Sequence, residues 1–248
     1  MIFDVIQQEQ VVWSAVYKSD LSLKDLGIAF YHPPMPEIIH WNLFYPSNRK
    51  KLLTREEILK INELYESRGI EGNLLDLGQF PSKWAISEEE YFLQPVQFHN
   101  PELIGPLSAR PAKNIEEFSS TVREIFRLSD AFERDFIAQS SRAEFAGLNV
   151  RHFLALCEGE ACGTFSLFQT SDEYDFRMNL GLLPKFRGRK LSNCLSALAS
   201  LQTPRKLMTH TNHIALRRNV LPRTGFRSEG EAFIIPLRKL LKEIKTEQ

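Results

Sequence analysis

The chain has 248 residues, 43% of them hydrophobic, enough for one large domain or two modest ones with a sizeable core. Its 31 basic and 31 acidic side chains cancel, which excludes a general electrostatic attraction to nucleic acid or to an anionic membrane. No apolar run approaches the roughly 20 residues that span a bilayer, and the segment MIFDVIQQEQ is polar and acidic where a signal peptide is basic and then apolar, so the expectation is a cytoplasmic protein.

In chain order, the first firm element is a helix. Thr54 with Glu57 three residues later forms a capping box, Ile58, Ile61 and Tyr65 recur at helical spacing, and Gly69 can end the run. Strands are expected on either side, over Ile38 to Phe44 and Leu74 to Leu77. Tyr31, Trp41, Phe44, Tyr45 and Trp84 read as packing aromatics, with the wall of a substrate pocket as the alternative. Around Asn100 to Lys113 three prolines and a glycine interrupt any periodicity and mark a boundary, giving an N-terminal α/β part over 1–105 and a second part over 112–238.

The second part opens with two helices. Asn114 and Glu117 cap one that carries Phe118, Val122, Ile125 and Phe126; Asp130 and Glu133 cap another that carries Phe132 and Phe136. Val150 to Cys157 and Cys162 to Phe168 form a hairpin around Glu158-Gly159-Glu160, and a third strand runs from Tyr174 to about Leu183. A helix over Leu191 to Leu201, a strand over Lys206 to Thr211, a short helix near Ile214 and a strand over Ala232 to Leu237 complete the order ααβββαβαβ, an α/β fold with a mixed sheet covered by helices. The tail 239–248 is basic; Arg238 to Lys245 reads as a short helix, either a solvated terminus or a homodimer contact. Cys157, Cys162 and Cys194 lack paired Cys-x-x-Cys spacing and read as buried reduced thiols, and the His210/His213 pair has no third ligand at metal-binding spacing.

Charge is uneven along the chain. From Phe176 to Ser228 there are eleven Lys and Arg residues and no Asp or Glu, a local positive field suited to a polyphosphorylated small molecule or to a nucleic-acid backbone, with a solvated basic face as the alternative. Its focus is LLPKFRGRKLS, Leu182 to Ser192, where a strand turns at Pro184 and opens onto a helix bearing Leu191, Leu195 and Leu198 on one face. The first amides of a helix lack internal partners and sit at the positive end of its dipole, so such a turn can hold a phosphate. Gly188 lets the backbone approach closely, while Lys185, Arg187, Arg189 and Lys190 add charge. Neither G-x-x-x-x-G-K-[ST] nor G-x-G-x-x-G occurs here, which separates the turn from nucleotide and dinucleotide loops.

These residues resemble motif A of the GCN5-related N-acetyltransferase (GNAT) superfamily, a strand ending in a Val-x-Pro-like segment followed by [Q/R]-x-x-G-x-[G/A] and a helix. Lys185 stands where Gln or Arg is usual, and Lys190 replaces the second small residue. Asn212 and Ala215 resemble the family's later N-x-x-A segment, and Gly225-Phe226 its terminal Gly-Phe. The resemblance implies a GNAT-like acyl-CoA N-acyltransferase fold with an additional N-terminal subdomain, itself similar to a degenerate GNAT half of the kind found in tandem members. It implies acetyl-CoA as the acyl donor, held by Leu182, Leu183, Lys185, Arg187, Gly188, Arg189, Lys190, Leu191 and Ser192, with Asn212 beside the pantetheine arm. It further implies direct transfer of an acetyl group to an amine of a small molecule or peptide, at a splay between the strand Arg177 to Leu183 and its neighbour. The family's thiolate-protonating Tyr is replaced by Leu221, and Asn219 cannot serve as an acid, so a catalytically weak CoA-binding or sensing module is the alternative. A base is expected near the splay; Glu144, His152, Glu173 and Asp175 are candidates, and none is assigned.

Overall fold

The structure, a computed structural model, describes residues 2–34, 40, 42–48, 51–95 and 100–246. Its internal contacts gather into two compact units, Met1–Val16 with Tyr91–Gly230, and Tyr17–Glu90 with Glu231–Gln248. This grouping differs from a division at 105–112. The proline-rich segment supplies an edge strand to the sheet of the larger unit, and the N-terminus folds as a helix packed in that same unit.

The elements in chain order begin with α1 (Ile2–Val16), β1 (Lys18–Asp20), β2 (Gly27–Tyr31), β3 (Leu43–Pro46), α2 (Arg55–Glu66), β4 (Asn73–Asp76), β5 (Ser87–Gln94) and β6 (Leu107–Pro111). Then come α3 (Ile115–Phe126), α4 (Asp130–Phe145), β7 (Asn149–Cys157), β8 (Glu160–Gln169), β9 (Tyr174–Leu182), α5 (Leu191–Ser200), β10 (Lys206–Thr211), β11 (Arg227–Pro236) and α6 (Leu237–Thr246). The short helix expected near Ile214 begins there and passes into a π-helical turn, Leu216–Val220. No helix among the described residues is long and apolar enough to cross a membrane.

In the smaller unit the strands lie in the order β1-β2-β3-β4-β11, antiparallel except for the parallel pair β3/β4 that α2 connects. Ile58, Ile61 and Tyr65 of α2 are buried with Phe44, Leu74 and Trp84, and the Tyr65 hydroxyl donates to the carbonyl of Phe30 at 3.1 Å, so the buried phenol keeps a partner. Tyr45 is likewise buried, Tyr31 lies under the guanidinium of Arg68, and Trp41 is outside the described residues. So are 38, 39 and 41 of the strand expected from Ile38; the described strand there starts at Leu43.

The larger unit carries β6-β7-β8-β9-β10-β5, antiparallel from β6 to β9 and parallel between β9 and β10. Alternation along the strands sorts the helices. His152 and Phe176 point to the face covered by α1, α3 and α4, while Arg177 points to the other face and donates to Ser196 of α5 at 2.9 Å. Asn114 caps α3 as expected, but the cap of α4 is Ser129, whose extended backbone lets its hydroxyl accept from the Phe132 amide at 3.2 Å; Asp130 is the first helical residue. Phe126 is excluded from the core, since α3 ends there and Arg127 turns left-handed at φ 56°.

Candidate acyl-CoA site

The site forms where β9 is irregular and loses its neighbour. Thr164 pairs with Gly181 but Ser166 pairs with Met178, so Asn179 and Leu180 bulge opposite Phe165, and Asn179 takes the left-handed φ of 55°. Thr164 Oγ1 donates to the Asn179 carbonyl at 2.8 Å, and Asn179 Nδ2 donates to Ser166 Oγ at 3.1 Å, which holds the bulge in place. On the other side the parallel ladder with β10 ends at Phe176/Met208. Beyond that pair the strands separate, and a cleft of about 800 Å³ opens, lined by both strands, the end of α3 and the start of α5. That volume lies in the range of about 300–1,000 Å³ typical of small-molecule sites.

The turn after β9 has the form expected of an anion cradle. Pro184–Phe186 makes one tight turn, Gly188 takes φ 78° with nothing within 4 Å of where a Cβ would stand, and Lys190 precedes α5 at φ 60°. No side chain caps α5 and no acid lies in its first turn, so its leading amides face outward unspent. The start of α2, on the corresponding strand-helix-strand crossover of the smaller unit, is chemically closed. There the Thr54 hydroxyl accepts from the Glu57 amide at 3.3 Å, the Glu57 carboxylate accepts from the Thr54 amide at 2.9 Å, and Glu56 and Glu57 fill the first turn with negative charge. One crossover satisfies its own helix; the other leaves its first turn without a side-chain cap or an acid.

The residues singled out in the sequence divide into groups. Leu182, Arg187, Gly188, Ser192 and Asn212 line the cleft. Leu183 and Leu191 are buried beneath it in the core with Leu195 and Leu198. Arg187 is engaged with protein: its guanidinium donates to the carbonyls of Leu182, at 3.1 Å, and of Ile125. Lys185 pairs with Glu160 on the β7–β8 hairpin, and Lys185 and Arg189 both lie over the Phe186 ring. Lys190 is exposed and keeps the backbone conformation a glycine adopts freely. Leu221, also on the cleft wall, is almost wholly buried and offers no proton.

The four candidate bases stand away from the cleft. His152 is enclosed by Phe118, Phe136 and Phe168, bonded to Ser166 through Nδ1, and burial lowers its pKa to about 4. Asp175 is fully buried against Arg151, 2.7 Å away, with Arg205 beyond; Glu173 pairs with Lys206; Glu144 projects outward from α4. His210, absent from the candidate bases, stands on the wall instead, backed by a buried pair. His210 of β10 lies with its Nδ1 2.8 Å from the carboxylate of Glu9 on α1, and the Tyr91 hydroxyl of β5 donates to that carboxylate at 2.9 Å. A signal for Glu9 exists: Val5, Ile6, Val12, Trp13 and Val16 form the buried stripe of α1, and Glu9 sits within it.

No family profile matches the chain, and no curated protein matches it in sequence. Solved structures do match. A GCN5-related N-acetyltransferase from Kribbella flavida superposes with a TM-score of 0.64 at 12% identity, covering 94% of this chain and 94% of that one. A functionally unknown conserved protein from Staphylococcus epidermidis gives 0.63 at 12% identity over 86% of this chain and 90% of its own. A tandem GNAT protein from the clavulanic acid biosynthesis pathway gives 0.51 at 16% identity over 78% and 74%. The fold is therefore the GNAT fold, α/β with a mixed sheet, as the sequence resemblance implies.

Proposed function

We propose that the protein is an acetyl-CoA-dependent N-acetyltransferase that moves the acetyl group directly to a primary amine of a small molecule or peptide. The observation that carries this reading is the uncapped start of α5 beside Gly188, opening into the cleft where β9 and β10 part. The turn fits a pyrophosphate: its amides are aimed outward, Gly188 leaves room for close approach, and Arg189 and Lys190 supply charge at the rim. Asn212 on the opposite wall would meet the pantetheine arm, and main-chain groups of the bulged strand near Leu182 would hold its amides and polarise the thioester carbonyl as charge develops on oxygen. The donor thioester would supply the activated acyl group; the chain's part is to bind, orient and exclude water.

One observation favours a second reading, a CoA-binding or sensing module with little turnover. Leu221 is an apolar residue where an acid would return a proton to the departing thiolate. Calorimetric titration with acetyl-CoA, against dephospho-CoA and ATP, tests binding; thiol release with a lysyl peptide, spermidine and tryptamine then tests transfer. Tight acetyl-CoA binding with thiol release supports the transferase, binding without release supports the module, and no binding overturns both.

A further inference from the structure

Resting on the transferase reading, we infer that His210 is the base that deprotonates the acceptor amine and that Glu9, from the N-terminal helix, positions it. Three observations place the imidazole. The β9/β10 ladder stops at Phe176/Met208, and His210 lies two residues further along β10, at the level where Met178 leads into the bulge. The side chain stands on the cleft wall and is 15% exposed, so it is shielded yet reachable from the cleft. Its ring is set between Tyr91 and Phe176, with centroids 5.4 and 5.9 Å away.

The chemistry follows from the carboxylate. Glu9 is 2% exposed, and its two oxygens are divided between partners: Oε1 lies 2.8 Å from His210 Nδ1, and Oε2 accepts from the Tyr91 hydroxyl at 2.9 Å. The Glu9 carboxylate meets Nδ1 as an ion pair at 2.8 Å that falls short of an aligned hydrogen bond; its charge still favours a proton on that nitrogen, which leaves Nε2 as the basic one, and it stabilises the imidazolium once a second proton arrives. In the transfer step the amine nitrogen bonds to the acetyl carbon, Nε2 takes the proton that the nitrogen sheds, and the carbon–sulfur bond breaks as the electron pair leaves with the thiolate. Tyr91 holds the second carboxylate oxygen, so Glu9 cannot swing away from the ring without losing that bond. Among the described residues, the titratable groups seen against the imidazole are Glu9 from α1 and Tyr91 from β5; β9 presents Phe176, and the cleft wall also carries Arg127, Arg177, Arg187 and His213.

The experiment compares full-length wild type with His210→Gln, Glu9→Gln and Tyr91→Phe. It reads acetyl-CoA affinity by calorimetry, kcat against pH with the best of the three probe amines, and the His210 ring titration by NMR. His210→Gln is expected to keep acetyl-CoA affinity within about twofold and to lose kcat by about a hundredfold or more, with the acidic limb of its profile gone. Glu9→Gln, nearly isosteric, is expected to move both that limb and the ring's own midpoint to lower pH, since it removes the charge that favours the imidazolium. Tyr91→Phe checks folding at the same carboxylate and is expected to shift the limb less. An unchanged profile in His210→Gln, or a loss of acetyl-CoA binding in it, overturns the assignment while the transferase reading stands. Wild type that binds acetyl-CoA and releases no thiol with any of the three amines overturns the transferase reading and the base with it.

Discussion

Arg187 donates its guanidinium to the carbonyl of Ile125, so the turn after β9 is tied across to the last turn of α3. A second bond from the same side chain, to the Leu182 carbonyl at 3.1 Å, closes the turn on its own strand. A cation that reads in the sequence as a phosphate ligand instead fixes the shape of the turn proposed to hold phosphate. Because the side chain is partly exposed, Arg187→Ala is expected to lower stability by about 1–2 kcal/mol, read by urea denaturation. It should also weaken acetyl-CoA binding about tenfold, through loss of loop geometry. Arg187→Lys distinguishes geometry from charge. It keeps the charge and loses the planar fork, so it should resemble the alanine variant.

Gly188 and Lys190 share one conformational problem and solve it differently. Both take left-handed backbone, at φ 78° and 60°, and only one of them lacks a Cβ. A Cβ at Gly188 meets no protein atom within 4 Å, so the folding penalty of Gly188→Val is set by the left-handed backbone, about 1–3 kcal/mol. Its side chain would stand in the space assigned to phosphate, and acetyl-CoA affinity measured by calorimetry should fall more than tenfold. Lys190→Gly should bind acetyl-CoA with nearly wild-type affinity if the main chain does the work, and Lys190→Glu should bind several-fold more weakly by placing an acid at the helix's positive end. Equal, large losses in both Lys190 variants would mean that the lysine side chain itself holds the ligand.

What could be read from the sequence was local. Pro184, Gly188 and the Leu191, Leu195, Leu198 face lie within one strand-turn-helix, and each speaks for the same structure as its neighbours. The capped helix at Thr54 was legible for the same reason. Glu9 was not, because its meaning depends on Tyr91, 82 residues later, and on His210 beyond that. Gln7, Gln8 and Gln10 around it give the segment a polar look, and the stripe of α1 becomes convincing only against the sheet that buries it. The grouping of Met1–Val16 with Tyr91–Gly230 is hidden for the same physical reason: composition marks where a chain bends, and contacts decide which pieces close a core.

His152 gives the protein an acid sensitivity separate from its chemistry. Burial among phenylalanine rings lowers its pKa from about 6.5 to about 4, so between those values the unfolded chain binds a proton that the folded one refuses. Stability is thus fully present above about pH 6.5 and declines as pH falls toward 4, by on the order of 3 kcal/mol. Thermal or urea unfolding of His152→Gln across that range should show a shallower slope than wild type. The contribution of Glu117, held down to about pKa 2 by Arg110, is lost at lower pH and does not overlap with most of this window.

Thr54 provides the converse of the α5 cradle. Its hydroxyl and the Glu57 carboxylate satisfy each other's amides, and Lys51 pairs with the same carboxylate at 2.5 Å, so the start of α2 is already neutralised by the chain's own groups. Thr54→Ala removes one acceptor and should lower stability by about 1 kcal/mol. Removing a cap also exposes amides, and the question is whether that alone creates an anion site. It should not, because Glu56 and Glu57 remain in the first turn and repel a phosphate. Calorimetry should therefore find the same single class of acetyl-CoA site in Thr54→Ala as in wild type. A second site appearing in that variant would mean that bare helix amides suffice, and the roles given to Gly188 and to the acid-free first turn of α5 would lose their basis.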